Sequence, residues 1–345
     1  MSGPLPELEL IEAVSLVGDW SPLRGARIFL TGGTGFFGKW LVETLGAANR
    51  VFNLQLEVVA LSRTPDRFLQ AMPHLQSASW LRLHQGDITS FDVPSGAFSH
   101  LIHGAASSDA RDYARDPTTM RRALVEGTRH VMSNMAGQTG LRVLFLSSGA
   151  VYGTQPSDLT HIPEDFPLPQ DTDDPSQLYA QGKRDAERII LESCTRAGYA
   201  CPIARCFAFA GPHLPLDQHF AFGNFIRDAL AGGPIRIGGD GTPRRSYLYA
   251  SELAASLCAL LLRGASMTYH VGSNQDLSIH DLANAIGRVA GAPVEMANRP
   301  LPGVKLARYV PAVSRIPEVF GLHQTVGLDE AIKRMLNWHS GQVIN

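Results

Sequence analysis

The chain has 345 residues, of which 44% are apolar and 18% are charged, and its formal net charge is −2. This composition suits a globular protein with a substantial core, either one large α/β domain or a nucleotide-binding domain with a smaller companion. The 30 basic and 32 acidic side chains nearly balance, which argues against nucleic acid as a partner.

The N-terminus lacks the basic segment of a secretory signal, and the longest apolar run, at 253–262, is about half of a membrane span. The four cysteines form no C-x-x-C pair, and the 12 histidines are scattered along the chain. We therefore expect a cytoplasmic protein with reduced, buried thiols, no membrane partner and no metal site.

From residue 25 onward, apolar runs typical of strands alternate with helical patterns. The predicted strands lie at 27–30, 57–61, 81–83, 100–103, 142–146 and 201–207, with helices at 37–48, 117–137 and 176–197. This alternation predicts an α/β fold with a doubly wound, Rossmann-type parallel sheet covered by helices on both faces.

The domain organisation follows from where this alternation begins and ends. Residues 1–24 are expected to form an N-terminal extension. A dinucleotide-binding domain is expected to comprise residues 25–208 and a returning segment near 246–274. Beyond residue 210, glycine and proline clusters separate shorter helical patterns at 220–231, 251–263, 279–290 and 328–338. We therefore expect 209–245 and 275–345 to form a smaller C-terminal substrate-binding lobe over the carboxyl edge of the sheet.

A glycine-rich turn, G-x-x-G-x-x-G, follows the first predicted strand and opens the first helix of that domain. Glycine permits positive φ and lets backbone approach a phosphate, and a helix N-terminus offers free N–H groups and a positive dipole end. The context favours a dinucleotide site over a plain tight turn. The predicted contacts are Gly32, Thr34, Gly35, Phe36, Phe37 and Gly38.

The end of the second strand usually decides between the two nicotinamide dinucleotides. A carboxylate there would bond the ribose 2′-hydroxyl of NAD, whereas an arginine would accept the 2′-phosphate of NADP. The chain has Ser62 and Arg63 at this point and no acid before Asp66. The sequence therefore favours NADP, with NAD as the alternative if Arg63 is only a solvated side chain.

Tyr179 and Lys183 are four residues apart in a helical stretch, so they share one helix face. An ammonium beside a phenol lowers the phenol's pKa from about 10, and such a tyrosine can exchange a proton with a substrate hydroxyl or carbonyl. The spacing alone is frequent by chance. However, Ser148 ends a buried strand whose tip faces the same crevice, so these three residues together predict a catalytic site.

With these motifs, the chain resembles the extended short-chain dehydrogenase/reductase superfamily, and within it the NAD(P)-dependent nucleotide-sugar epimerase/dehydratase family, over about residues 26–340. The resemblance implies an enzyme, a homodimer, and further cofactor contacts by Asp87, Ile88, Ala105, Ala106, Tyr179 and Lys183. The predicted substrate-binding residues are Ser108, Ser148, Tyr179, His219 and Arg245, of which Arg245 matches the family arginine that holds the substrate diphosphate. His213 and His219 lie in an unusual loop. Either they bind the sugar or the phosphates of the substrate, or they are surface histidines of a loop.

At two places the sequence differs from the pattern of the family, and these differences restrict the reactions that we expect. Hexose 4,6-dehydratases of this branch carry acids where this chain has Gly149 and Ala150, so water elimination lacks its acid and base. Ala208 also replaces a substrate-contacting asparagine. With NADP favoured, we expect reduction of a 4-keto, 6-deoxy nucleotide sugar. The alternatives are an epimerase or decarboxylase that uses its cofactor transiently and, more remotely, a non-catalytic dinucleotide sensor.

Overall fold

A computed structural model of the chain describes residues 3–105, 116–299 and 306–341. Its centre is a sheet of seven strands, all of them parallel to their neighbours. Numbered along the chain, they are β1 (Arg27–Thr31), β2 (Glu57–Ser62), β3 (Leu81–Gln85), β4 (His100–His103), β5 (Arg142–Ser148), β6 (Ile203–Cys206) and β11 (Thr268–Val271). The spatial order β11-β6-β5-β4-β1-β2-β3 confirms the doubly wound parallel sheet.

Helices cover both faces of this sheet. The described helices are α1 (Glu7–Val17), α2 (Phe36–Phe52), α3 (Pro65–Ala71), α4 (Pro117–Asn134), α5 (Leu178–Ala197), α6 (Ala221–Leu230), α7 (Ala250–Arg263), α8 (Ile279–Ala290), α9 (Arg315–Phe320) and α10 (Leu328–Ser340). Alternate side chains of β1 enter different cores: Ile28 and Leu30 pack on the side of α2 and α7, whereas Phe29 packs on the side of α4 and α5. Burial on both faces explains why the strands are continuously apolar.

Three small sheets complete the C-terminal part of the chain. They are formed by β7 (Phe209–Ala210) with β10 (Leu248–Tyr249), by β8 (Ile235–Ile237) with β13 (Val294–Met296), and by β9 (Arg244–Ser246) between β12 (Asp276–Ser278) and β14 (Arg308–Tyr309). The segment expected to return to the first domain contains β11, which pairs with β6. The predicted strand at 201–207 ends earlier, at Cys206, because the chain then leaves the main sheet to form β7.

The four cysteines are free and buried. Within the three described ranges, no helix has the length and apolar character needed to cross a bilayer. Nor does this part of the chain bring three or more histidine, cysteine or acidic side chains into a group that would hold a metal ion.

The N-terminal segment packs into the larger core. Helix α1 buries Leu10, Val14 and Val17 against α2 and α7, and the fully buried Trp20 donates from Nε1 to the Val14 carbonyl at 2.9 Å. The carboxylate of Glu9 is buried as well and accepts a hydrogen bond from the Tyr249 hydroxyl at 2.8 Å. The described residues of 1–24 are therefore an integral layer of the fold.

A Glu9→Gln substitution is expected to flatten part of the pH dependence of stability. Burial raises the pKa of Glu9 from 4.5 to about 7. A raised carboxyl pKa gives stability that is fully present below the unfolded-state value and is lost as the pH rises through the folded-state value. The wild-type protein should therefore lose up to roughly 2–3 kcal/mol through this group as the pH rises from about 4.5 to above 7, and the variant should not.

Urea unfolding at about pH 5 and about pH 8 measures this difference. Glu7→Gln is the matched control, because Glu7 is exposed on the same helix and pairs only with exposed Arg50, so its pH dependence should equal the wild type's. Glu43 also has a pKa of about 7 and keeps part of the slope in both variants. The same slope in Glu9→Gln as in the control would contradict the assignment.

Candidate active site

The predicted site residues converge on the carboxyl edge of the main sheet. Thr31, Ser62, His103 and Ser148 are the last residues of β1, β2, β4 and β5. Because parallel strands end at one edge, their loops meet there, and the start of α2 lies at the same edge. This edge is where open α/β sheets bind ligands.

The glycine-rich turn has the shape of a phosphate cradle. Gly32 has φ of 81°, and a Cβ there would lie 2.7 Å from Gly104 backbone atoms. A Cβ on Gly38 would lie 2.2 Å from the Gly32 carbonyl oxygen. No side chain caps α2 at Gly35, so its first N–H groups stay available for an anion. The turn therefore fits the pyrophosphate of a dinucleotide.

A threonine that the sequence interpretation did not single out ties β1 to the loop after β4. The Thr31 hydroxyl lies 2.7 Å from His103 Nδ1 and accepts hydrogen bonds from the Gly104 and Ala105 amides at 3.2 Å each. Burial lowers the pKa of His103 to about 3, so its ring is neutral. This network fixes Ala105 against the glycine turn, whereas the predicted Ala106 and Ser108 lie outside the described residues.

The adenosine end of the predicted cofactor site lies at the ends of β2 and β3. Arg63 is exposed, and the Ser62 hydroxyl accepts a hydrogen bond from the Thr64 amide. Hydrogen bonds from Thr89 hold the pKa of Asp87 below its ordinary value, and the nearby charge of Arg63 acts in the same direction. Arg63 and Asp87 are therefore neighbours at this edge, and Arg63 is accessible to a 2′-phosphate.

The predicted catalytic residues come together where β5 ends and α5 begins. Ser148 and Tyr179 are hydrogen-bonded through their side chains, and both are partly exposed. Lys183, one turn further along α5, is buried and donates from Nζ to the Leu146 carbonyl at 2.8 Å. The Ser148 hydroxyl also accepts from the Ala150 amide at 3.1 Å, which fixes its position.

The protonation of this cluster differs from the sequence prediction. Burial raises the pKa of Tyr179 to about 12, although the Ser148 hydrogen bond acts in the opposite direction. Burial also lowers the pKa of Lys183 to about 8. The expectation that Lys183 lowers the tyrosine's pKa was wrong for this arrangement, because desolvation of the phenol outweighs its hydrogen bond to Ser148.

A buried ionic network lies directly beneath the cluster. Arg205 on β6 pairs with Glu187 on α5 at 2.7 Å and donates to the Tyr152 hydroxyl at 2.7 Å, and that hydroxyl lies 2.7 Å from His270 Nε2. Such a network holds α5, the strands β6 and β11 and the turn after β5 in one geometry. The sequence interpretation did not assign Glu187 a role, although it follows Lys183 by four residues on the same face of α5.

Gly149 and Ala150, which replace the dehydratase acids, follow Ser148 in a 3₁₀ turn over Gly149–Tyr152. A Cβ on Gly149 would lie 2.6 Å from the ring of Phe207. The aromatic ring thus fills the space that an acidic side chain at 149 would need.

Arg245, a predicted substrate-binding residue of the C-terminal part, is linked to the catalytic cluster through a tyrosine. Arg245 lies on β9, paired in register with Tyr309 on β14, and its guanidinium carbon lies 5.8 Å from the centre of the Tyr309 ring. The Tyr309 hydroxyl is 3.4 Å from Ser148 Oγ, so Arg245 is linked to the catalytic cluster through one side chain. Tyr309 carried no motif that sequence interpretation recognises.

The two histidines of the loop after β7 differ in their surroundings. His219 is exposed, and its ring lies 4.2 Å from that of Phe220, so its role as a substrate ligand stays a prediction. His213 packs at 4.8 Å on the ring of Trp338, and its Nδ1 lies 3.4 Å from Lys39 Nζ. Burial lowers the pKa of His213 to about 3, which makes it a neutral packing residue.

Comparisons with known proteins identify proteins that are similar to this chain. The chain is 24% identical to UDP-glucuronic acid decarboxylase 1 of Arabidopsis thaliana over 322 residues, covering 92% of this chain and 71% of that protein. DesIV from Streptomyces venezuelae, a dTDP-glucose 4,6-dehydratase with NAD bound, superposes with a TM-score of 0.76 at 23% identity, covering 91% of this chain and 97% of that chain. RMD from Pseudomonas aeruginosa, complexed with NADPH, gives 0.73 at 22% identity, covering 92% and 99%.

These solved structures share the fold of this chain. The model of the NAD dependent epimerase/dehydratase family matches residues 28–272, from β1 to the end of β11. This range contains the glycine turn, Ser148, Tyr179 and Lys183, and it makes up most of the protein. The chain therefore belongs to the NAD dependent epimerase/dehydratase family.

Proposed function

We propose that the protein is an NADPH-dependent reductase that converts the C4 ketone of a nucleotide-linked, 6-deoxy sugar to an alcohol. The pairing of Ser148 with Tyr179 carries this proposal, because it places a phenol, protonated at neutral pH, against the hydroxyl that ends β5. A protonated phenol hydrogen-bonded to Ser148 is suited to give a proton to a developing alkoxide, which reduction requires. Oxidation of a sugar hydroxyl would instead require the phenolate.

Each residue of the cluster has one role in this mechanism. A nicotinamide cofactor held at the glycine turn would supply the hydride for the ketone carbon. Ser148 donates a hydrogen bond that orients the carbonyl, and Tyr179 transfers its phenolic proton to the same oxygen. Lys183, one turn along α5 with its ammonium fixed on the Leu146 carbonyl, would hold the cofactor ribose, and solvent would return a proton to the phenolate.

The substrate class rests on Arg245 and on the family. A planar guanidinium binds phosphate oxygens in pairs, and Arg245 lies one side chain away from the catalytic cluster. Phe207 occupies the space beside Gly149 where a 4,6-dehydratase needs an acid. Both observations support a nucleotide sugar whose C4 is already a ketone.

A second candidate function is decarboxylation of a nucleotide-linked uronic acid. It is favoured by the curated relatives, which include the UDP-glucuronic acid decarboxylase of Arabidopsis thaliana. Tyr179 would take the proton of the C4 hydroxyl while bound NAD would accept the hydride from C4. The carboxyl group would then leave as carbon dioxide from the resulting β-keto acid, and the NADH formed would return the hydride to C4. This route needs the tyrosine as a base before it acts as an acid.

A substrate panel separates the two functions. Purified protein is incubated with NADPH and the 4-keto-6-deoxyhexoses of UDP, dTDP, GDP and CDP, and separately with NAD and UDP-glucuronic acid. We expect one panel ketone to be reduced with one NADPH oxidised per sugar. Release of carbon dioxide from UDP-glucuronic acid, with no NADPH consumed on any ketone, would replace the first function with the second.

An Arg63→Ala substitution is expected to weaken NADPH binding and leave NADH binding unchanged. Losing charge-assisted hydrogen bonds to a 2′-phosphate costs about 1.5–3 kcal/mol, or roughly ten- to a hundredfold in Kd. Fluorescence titration of both cofactors measures this. Arg82→Ala is the matched control, since Arg82 is an exposed arginine within β3, three residues before its end, and should bind both cofactors as the wild type does. Equal losses for NADPH and NADH in Arg63→Ala would contradict the NADP assignment.

A further inference from the structure

Tyr309 reaches the catalytic cluster from the far end of the chain. It lies on β14, 161 residues from Ser148, and its hydroxyl lies 3.4 Å from Ser148 Oγ and 3.5 Å from the Cys206 carbonyl oxygen. The side chain is partly exposed, as are those of Ser148 and Tyr179. Three hydroxyl groups therefore face one space at the end of β5.

Both contacts of the Tyr309 hydroxyl are long. Hydrogen bonds between two oxygens usually measure about 2.7–2.8 Å, so this phenol is weakly bonded in its present position. Burial of the Tyr309 phenol raises its pKa above the ordinary value, which keeps it a proton donor at neutral pH. A desolvated donor with only weak bonds gains free energy when a better acceptor arrives.

The ring of Tyr309 is held in place independently of its hydroxyl. It packs 4.9 Å from the ring of Phe207, and the guanidinium carbon of Arg245 lies 5.8 Å from its centre. Pairing of β14 with β9 brings Tyr309 directly opposite Arg245. A sugar that joins a carbonyl at Ser148 to a diphosphate at Arg245 must therefore pass Tyr309.

We propose that Tyr309 is a substrate-contacting, specificity-determining residue whose hydroxyl donates a hydrogen bond to the C3 hydroxyl of the sugar. This inference rests on the proposed function, which sets the reacting carbon at C4. In a 4-keto-6-deoxyhexose the two neighbours of C4 are C3, which bears a hydroxyl, and C5, which bears a methyl group. The C3 hydroxyl is the only acceptor beside the carbonyl that matches a second phenol donor next to Ser148.

Tyr309→Phe tests the contact, because it keeps the ring against Phe207 and Arg245 and removes only the hydroxyl. With the panel ketone that the wild-type enzyme reduces, we expect KM to rise roughly five- to tenfold while kcat stays within about twofold. With the 3-deoxy analogue of that ketone, wild type and variant should have the same KM, because neither can form the bond. A purely structural role of Tyr309 would leave the ratio between the two enzymes unchanged by the analogue.

Tyr199→Phe is the matched control. Its hydroxyl is buried away from the site and donates to the Met135 and Gln138 carbonyls at 3.0 and 2.9 Å, so its loss should affect stability but not KM. Wild-type KM in Tyr309→Phe, or a rise that persists with the 3-deoxy analogue, would overturn the inference. Failure of the proposed function itself is separately visible, because the wild-type enzyme would then reduce none of the panel ketones.

Discussion

Replacement of Tyr179 by phenylalanine is expected to lower kcat for ketone reduction by about 10²–10⁴-fold, the usual contribution of a general acid. The substitution keeps the aromatic ring on α5 and removes only the proton that the alkoxide needs. Its hydroxyl is hydrogen-bonded to Ser148 at the end of β5, so the loss falls on the reacting oxygen. The Kd for NADPH should stay within about threefold of the wild-type value, because phenylalanine keeps the ring and the predicted pyrophosphate contacts lie on the glycine turn.

Stopped-flow measurement of NADPH oxidation under single-turnover conditions isolates this chemical step from product release. Tyr199→Phe again serves as the control, since it removes a buried phenol hydroxyl from a different part of the fold. Circular dichroism and thermal unfolding should show both variants folded. A Tyr179→Phe enzyme with wild-type turnover would exclude Tyr179 as the proton donor and, with it, the proposed mechanism.

The parts of the site that were predictable from sequence are those encoded by local spacing. The glycine turn needs three glycines within seven residues between a strand and a helix, and Tyr179 with Lys183 needs one helical turn. Both patterns are complete within a short segment, so no knowledge of long-range packing is required. Ser148 was predictable for a related reason, because strand ends of a parallel sheet share one edge.

Tyr309 and Phe207 were not predictable, because their positions depend on contacts across the chain. Tyr309 reaches Ser148 only because β14 pairs with β9. These strands have two and three residues, which is too short for a periodicity that could be recognised in the sequence. The prediction of a lowered pKa for Tyr179 was wrong for the same reason. Spacing predicts that Lys183 is near, but the desolvation that outweighs it depends on how the rest of the molecule covers the phenol.

A substitution in the glycine turn is expected to have the largest effect on the structure. In a Gly38→Ala variant the added Cβ would lie 2.2 Å from the Gly32 carbonyl oxygen and 2.5 Å from Gly33 backbone atoms. The turn has little room to move toward the loop after β4, because even a Cβ on Gly32 would lie 2.7 Å from Gly104 backbone atoms. Helix α2 must therefore shift, which disturbs its fully buried residues Trp40 and Leu41.

We expect Gly38→Ala to lose about 3 kcal/mol or more of unfolding free energy and to bind NADPH at least tenfold more weakly. Urea unfolding and fluorescence titration measure the two losses separately. Gly35→Ala is the matched control for stability, because its Cβ would meet only the Gly32 carbonyl oxygen at an ordinary 3.5 Å, and its φ of −80° suits alanine. Wild-type stability of Gly38→Ala would contradict the packing argument. A destabilised Gly38→Ala protein that binds NADPH as tightly as the wild type would mean that the pyrophosphate does not bind at the start of α2.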